Sequence, residues 1–392
     1  MRGLVAGSIA LVLIFAASAA PIPLYSQYCA MLGVPKSALS IATVAYFVGT
    51  IGSLLVFARL SNFIGRKRAI LIATAFSIAG CLSFALIANE ALLYFGRFVQ
   101  GLACGIASGS AGAYVVDNAP EKPAWLSAVI TTSGPQAGLT IGCLLSAAFA
   151  DAEDLEAQWA FFLLIGAFVA CAAFVCACPE TVKRYKGAIR SMEPSVRVPA
   201  SVKAVLHASC FAFMGTWAIG GFYQASSTVF SQICFSSSST LIAAAVFALF
   251  MAPSVIGAPL ASKLTPERAQ VFGMGAFVCS VACLACAVLL ANPALLIVAS
   301  ICGGITQGVA YSGGMRRVLA RTAPSESASI LSMVTMVSYT GAAVPNLIIG
   351  TAGASWSTPG IACGYAIAVA LCFAGSALVL RKQAFGHSGG AG

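Results

Sequence analysis

Residues 37–88 read SALSIATVAYFVGTIGSLLVFARLSNFIGRKRAILIATAFSIAGCLSFALIA, two unbroken apolar runs joined by a loop that holds Arg59, Arg66, Lys67 and Arg68. Each run has the roughly 20 residues that a bilayer crossing needs. Lipid offers no water to pair a backbone amide, so each run must be a helix. The pattern recurs on both sides. Apolar runs also cover 4–23, 91–116, 125–149, 159–178, 205–230, 241–260, 271–290, 295–314, 330–350 and 361–380, making twelve in all. Twelve crossings use about 240 residues. The other residues of the 392 suffice for short turns, one linker and tails. Composition agrees, with 60% of residues hydrophobic and 8% charged, against roughly 25% charged in a soluble domain. A soluble enzyme and a disulfide-stapled secreted domain are excluded. The expected fold class is an all-α membrane protein of twelve transmembrane helices in two six-helix halves.

The first run invites a second reading as a cleaved signal peptide, because Arg2 precedes an apolar stretch ending in Ala17, Ser18, Ala19 and Ala20. Removing it would leave an odd number of helices, and it is read as a span. The net charge of +10 could suggest an anionic polymer as partner. Where the charges fall says otherwise. All Lys and Arg except Lys36 and Arg97 sit on one side of the alternating loops, while Glu90, Asp151, Glu153, Asp154 and Glu156 sit on the other. By the positive-inside rule the basic side is cytoplasmic, with both termini on it, in a multi-pass protein of the cell (inner) membrane. Nucleic acid is not an expected partner.

The longest hydrophilic stretch, 180–203, is a basic cytoplasmic linker between an N-terminal bundle (1–179) and a C-terminal bundle (204–382); 383–392 reads as a disordered Gly-rich tail. The halves resemble each other at an offset near 200. Leu60, Arg68 and Ala69 recur as Leu260, Arg268 and Ala269, and Leu92, Leu93, Gly101 and Gly105 recur as Leu295, Leu296, Gly304 and Gly308. Secondary transporters are built from such repeats, with the solute site between them at the bilayer midplane.

Four motifs carry more. The loop from Arg59 to Arg68 contains Leu60, Gly65, Arg66 and Lys67 in the order of a Gly-x-Leu-Ala-Asp-Arg-x-Gly-Arg-Lys signature. There the chain resembles the major facilitator superfamily. Ala58, Asn62 and Phe63 depart from the pattern. The resemblance implies gating by this loop, with Asp117 at the inner end of the fourth span as the partner of Arg66. Because Asn62 replaces the family's aspartate, a latch through it is expected to be weaker or differently paired. Arg97-Phe98-Val99-Gln100-Gly101 resembles the family's Arg-x-x-Gln-Gly element. A guanidinium inside a span is costly unless it faces a cavity or a partner; the plain alternative is snorkelling toward the surface near Glu90. Gly134-Pro135-Gln136-Ala137-Gly138 resembles the Gly-Pro-x-x-Gly signature of the family's exporters, above all drug:proton antiporters. The alternative there is a structural kink. Pro179-Glu180-Thr181 closes the sixth span in the family manner.

The family's architecture implies a cavity lined by Arg97, Gln100, Tyr25, Gln27, Tyr46, Gln136, Trp217, Tyr223, Gln224, Gln307, Tyr311, Tyr339 and Asn346. Aromatic walls with a few polar groups suit a small amphipathic solute. Cys279, Cys283 and Cys286 have helical spacing but no nearby His or acid, so packing rather than a metal site is expected. No nucleotide loop or hydrolase motif occurs, and neither a cofactor nor direct ATP use is called for. The expected function is a monomeric secondary transporter exporting small drug-like compounds, an efflux antiporter of the plasma membrane with protons as candidate counter-ion. Its partners are a small-molecule solute and the lipid bilayer. Two alternatives stand beside it: an organic-anion carrier using Arg97 as counter-charge, and a non-transporting membrane receptor.

Overall fold

The computed structural model describes residues 1–35, 37–57, 59–120, 126–152, 156–182, 200–322 and 327–388. Lys36, Ala58, Lys122, Glu153, Asp154 and the linker from 183 to 199 lie outside them, as do 389–392. The described residues form twelve helical rods and no strand. These are α1 (Arg2–Leu32), α2 (Ser37–Phe57), α3 (Arg66–Ala85), α4 (Glu90–Asp117), α5 (Leu126–Ala150), α6 (Gln158–Ala177), α7 (Ala200–Phe235), α8 (Thr240–Ser262), α9 (Pro266–Leu289), α10 (Pro293–Leu319), α11 (Ser327–Ala352) and α12 (Thr358–Ser388). All but α5 are long and apolar enough to cross a membrane. In α5 the stretch Ser133, Pro135, Gln136 and Thr140 dilutes the apolar character, yet the helix packs within the same bundle.

The ends follow local chemistry. Asn89 caps α4 by accepting from the Leu92 N–H at 3.0 Å, and Asn292 caps α10 by accepting from the Leu295 N–H at 3.1 Å. These asparagines stand 203 residues apart, the offset of the repeat. In α1 a 3-10 turn at Ile22–Leu24 absorbs Pro21 and Pro23, and helix resumes to Leu32, so the first rod outruns its apolar core. α12 continues to Ser388, beyond the boundary expected at 383. A helix already nucleated in the span extends at low cost through Arg381, Lys382, Gln383 and Ala384, which are good helix formers.

The two halves pack alike. In the first, α1 lies against α4, α5 and α6, while α3 lies against α4 and α6; in the second, α7 lies against α10, α11 and α12, while α9 lies against α10 and α12. α4 presses on α2 at backbone distance, since a Cβ at Gly101 would overlap the Tyr46 carbonyl oxygen. α10 presses on α8 in the same way, where a Cβ at Gly304 would overlap the Phe250 carbonyl oxygen. Small residues allow this contact, which dispersion then rewards in lipid. Across the halves α2 meets α11 and α5 meets α8, again a repeat-related pair. Trp159 and Trp356, both half exposed, stand at the acidic end, where amphipathic rings suit a membrane interface.

Candidate functional site

The centre of the contact between halves holds Arg97. It is 1% exposed and turned inward, so it does not snorkel to the surface. Nη1 donates to Ser18 O and, at 3.0 Å, to Gln100 Oε1; Nη2 donates to Gln224 Oε1 on α7 at 3.0 Å. The guanidinium carbon stands 4.5 Å from the centre of the Tyr46 ring, within cation–π range. Gln100 is held in turn by its Nε2 bond to Ala17 O at 2.8 Å. These partners are all neutral. Buried cations are normally matched by an anion, because desolvating a lone charge is expensive.

Aromatic rings continue from this group into the second half. Tyr46 meets Phe47 edge-on at 5.2 Å, Phe47 meets Tyr339 at 5.5 Å, Tyr339 meets Trp217 at 4.7 Å, and Trp217 meets Tyr311 at 6.4 Å. The expected cavity residues thus fall into an arginine group and an aromatic group joined through Phe47. Gln307 donates to Thr216 O at 3.4 Å beside Trp217, and its Oε1 is buried without a partner. Asn346 Oδ1 and Gln136 Oε1 are also buried without partners. Tyr25 is fully buried. Tyr223 turns away from the group, with its hydroxyl 2.8 Å from Ser300 Oγ and its ring stacked on Phe250 at 4.4 Å. Ser300 is the repeat counterpart of Arg97.

At the basic end the loop motif closes a clamp on its own half. Arg66 Nε lies 3.2 Å from Asp117 Oδ2, while Nη1 donates to Ser61 Oγ at 2.6 Å and to Asn62 Oδ1 at 2.7 Å. Asn62 therefore still accepts from Arg66. Glu180 takes the Arg66 and Lys67 backbone N–H groups at 2.9 and 3.2 Å, capping α3, and Lys67 Nζ returns to the carbonyls of Cys176 and Cys178 that end α6. Each charge thereby meets the helix end of opposite partial charge. Gly65 has φ 98°, a backbone conformation that costs glycine little. Leu60 is buried beneath this loop. Pro135 lies inside α5, and Gly134, Gly138 and Gly142 place that helix on α1; a Cβ at Gly142 would overlap the Ala16 carbonyl oxygen.

The acidic end is shut by polar contacts between halves. Asp151, just past α5, accepts from the Ser239 hydroxyl at 2.6 Å and from the Thr240 and Leu241 N–H groups at 3.0 Å each, at the start of α8. Gln27 Nε2 donates to Thr240 Oγ1 at 3.0 Å, and Gln232 Nε2 donates to Ser26 Oγ at 3.4 Å. Partial burial works to raise the Asp151 pKa. The bonds from Ser239, Leu241 and Thr240 outweigh it and hold the carboxyl below its ordinary value.

Several of these contacts escape a reading by motif. Glu180 appears in sequence only as a span terminus, and Asp151 only as an outer acid. Glu267 and Arg317, 3.4 Å apart, repeat the Arg66–Asp117 pair with the charges exchanged. Offsets of 201 and 200 residues carried that signal. Gln270, fully buried, joins α9 to Ala208 O and Ser376 Oγ at 3.0 Å each and accepts from Arg317 at 3.1 Å. Cys29 and Cys234 are both free thiols, and no metal-binding cluster occurs among the described residues.

Comparison with known proteins agrees with this architecture. The chain is 34% identical over 129 residues to polyol transporter 5 of Arabidopsis thaliana, a stretch covering 31% of this chain and 23% of that protein, so it spans less than a quarter of that relative's length. It superposes on the xylose transporter XylE of E. coli in a partially occluded inward-open conformation, with TM-score 0.73, 13% identity and 97% of each chain covered. It superposes on a bacterial homologue of the human lysosomal transporter Spinster in an inward-facing, occupied conformation, with TM-score 0.70, 12% identity and 96% of each chain covered. At such identities these likenesses speak for the fold alone. The sequence profile of the Major Facilitator Superfamily matches residues 7–344, and with twelve rods in two like-packed halves the chain belongs to that superfamily.

Proposed function

We propose that the protein works by alternating access as an exporter of small amphipathic solutes, in exchange for protons, with its basic end and both termini cytoplasmic, as a monomer in the cell membrane. The observation that carries alternating access is the acidic-end seal. It consists of short polar contacts between the two halves, which can be broken without unpacking the helix pairs inside either half. Export rests on α5, whose Gly-Pro edge packs on α1 at backbone distance. Arg66, Lys67, Asn62 and Asp117 are assigned to gating at the basic end, with Leu60 and Gly65 shaping the loop.

A second reading has its own support. Arg97 is buried among neutral groups only, which favours an organic anion as solute with the guanidinium as counter-charge. Accumulation in inverted membrane vesicles separates the readings, using a lipophilic cationic dye, an aromatic carboxylate and, given the polyol relative, sorbitol. Dye accumulation driven by an acid lumen is the expected result. Carboxylate accumulation without a pH gradient decides for the second reading. Failure of all three to exceed vesicles lacking the protein overturns both.

A further inference from the structure

One donor of Arg97 makes no hydrogen bond of good geometry, although the Tyr25 hydroxyl, also buried without a partner, neighbours the guanidinium. The Nε–H and an Nη2–H point the same way along one edge of the guanidinium, the edge that takes both oxygens of a carboxylate. Nη2 donates to Gln224 Oε1 at 3.0 Å, whereas the buried Nε makes no such bond. Nη1 is engaged separately, by Ser18 O and Gln100 Oε1. An amide offers one carbonyl oxygen, so Gln224 fills one of two donor positions. It also belongs to α7, in the other half, so its bond ties the halves together just inside the sealed end.

We propose that Gln224 is the displaceable resident of a carboxylate site on the Nε/Nη2 edge of Arg97. In the closed conformer its amide oxygen occupies that edge and holds the halves together. A solute carboxylate, with two oxygens and a full charge, takes the edge from it and releases the acidic end. A glutamate at 224 would form a buried two-point ion pair and lock the closed state. An apolar residue would leave two buried donors empty and weaken that state. A neutral amide lies between and can be exchanged. The proposal rests on the organic-anion reading above.

Amide hydrogen–deuterium exchange of the purified full chain in nanodiscs, read over residues 26–48 and 231–245, reports opening of the acidic end with no need for transport. Saturating benzoate should speed exchange there by about threefold, and the neutral isostere benzamide should not. Gln224→Glu should slow exchange and abolish the benzoate response. Gln224→Met, close in shape but with only a weak thioether acceptor in place of the amide oxygen, should speed exchange with no ligand added. Circular dichroism and gel filtration identify any variant that misfolds. If the two variants move together or not at all, the cross-half bond is overturned. If they move oppositely but the parent ignores benzoate, the carboxylate site is overturned. Opposite shifts and a benzoate response, with no carboxylate accumulating in vesicles, support the site and count against the anion-transport reading alone.

Discussion

Arg97 is costly to bury and not needed to hold a bundle together, so its substitution should separate transport from assembly. Arg97→Ala is expected to insert normally and to lose transport. With each charge-assisted bond worth about 1.5–3 kcal/mol and 1.4 kcal/mol being tenfold, apparent affinity should fall by at least tenfold. Arg97→Lys should rescue poorly, since an ammonium cannot reproduce a planar fork. Solute accumulation normalised to inserted protein checks both. Asp151 is the second residue at which a sign can be fixed. Its folded pKa lies below the ordinary value of 3.8, so its contribution is fully present above about pH 4 and is lost as pH falls through the lowered value. Asp151→Asn should lower the melting temperature at pH 7 to 8, where the charged contribution is present, and converge with the parent in acid, so that the acid limb of the melting profile is flatter in the variant. The sequence made Arg97 legible, because a cation inside an apolar run is conspicuous. Gln224 was legible only as one polar residue among those expected to line a cavity and Glu180 only as the close of the sixth span, because their partners lie 127 and 114 residues away, across a helix contact that no local pattern encodes.

Helices were the most legible level of all, because lipid leaves apolar sequence one backbone solution. Their lengths were less so. α1 and α12 run past their apolar cores, since helix propagation and caps rather than hydropathy set the ends. The glycines of α5 were legible as a motif, while the neighbour they serve was visible only in the fold. Gly142→Leu must push α1 from α5, because a Cβ at 142 already overlaps the Ala16 carbonyl. It should abolish transport and lower the melting temperature by several degrees, as overpacking by about 1–3 kcal/mol does. Gly166 on α6 has open space around its Cβ position. Gly166→Ala should keep full transport and gain up to about 1 kcal/mol of stability. Thermal melts in one detergent, run beside the vesicle assay, test the pair.

The whole molecule is two six-helix bodies with repeat-related contacts, joined by a seal at one end. The repeat was visible in sequence as an offset near 200 residues. That the acidic end is the closed one was not, because conformational state depends on contacts between bodies that the same sequence must also be able to break. The contact of α2 with α11 offers the most direct test. Ile41 and Gly350 touch across the halves near the acidic end, with Ile41 N 3.3 Å from the position of a Cβ on Gly350. The paired Ile41→Cys and Gly350→Cys substitutions should cross-link under mild oxidation, stop transport and regain it on reduction, while each single substitution responds to neither treatment. Transport by the cross-linked pair at the rate of its reduced form would contradict alternating access through this end.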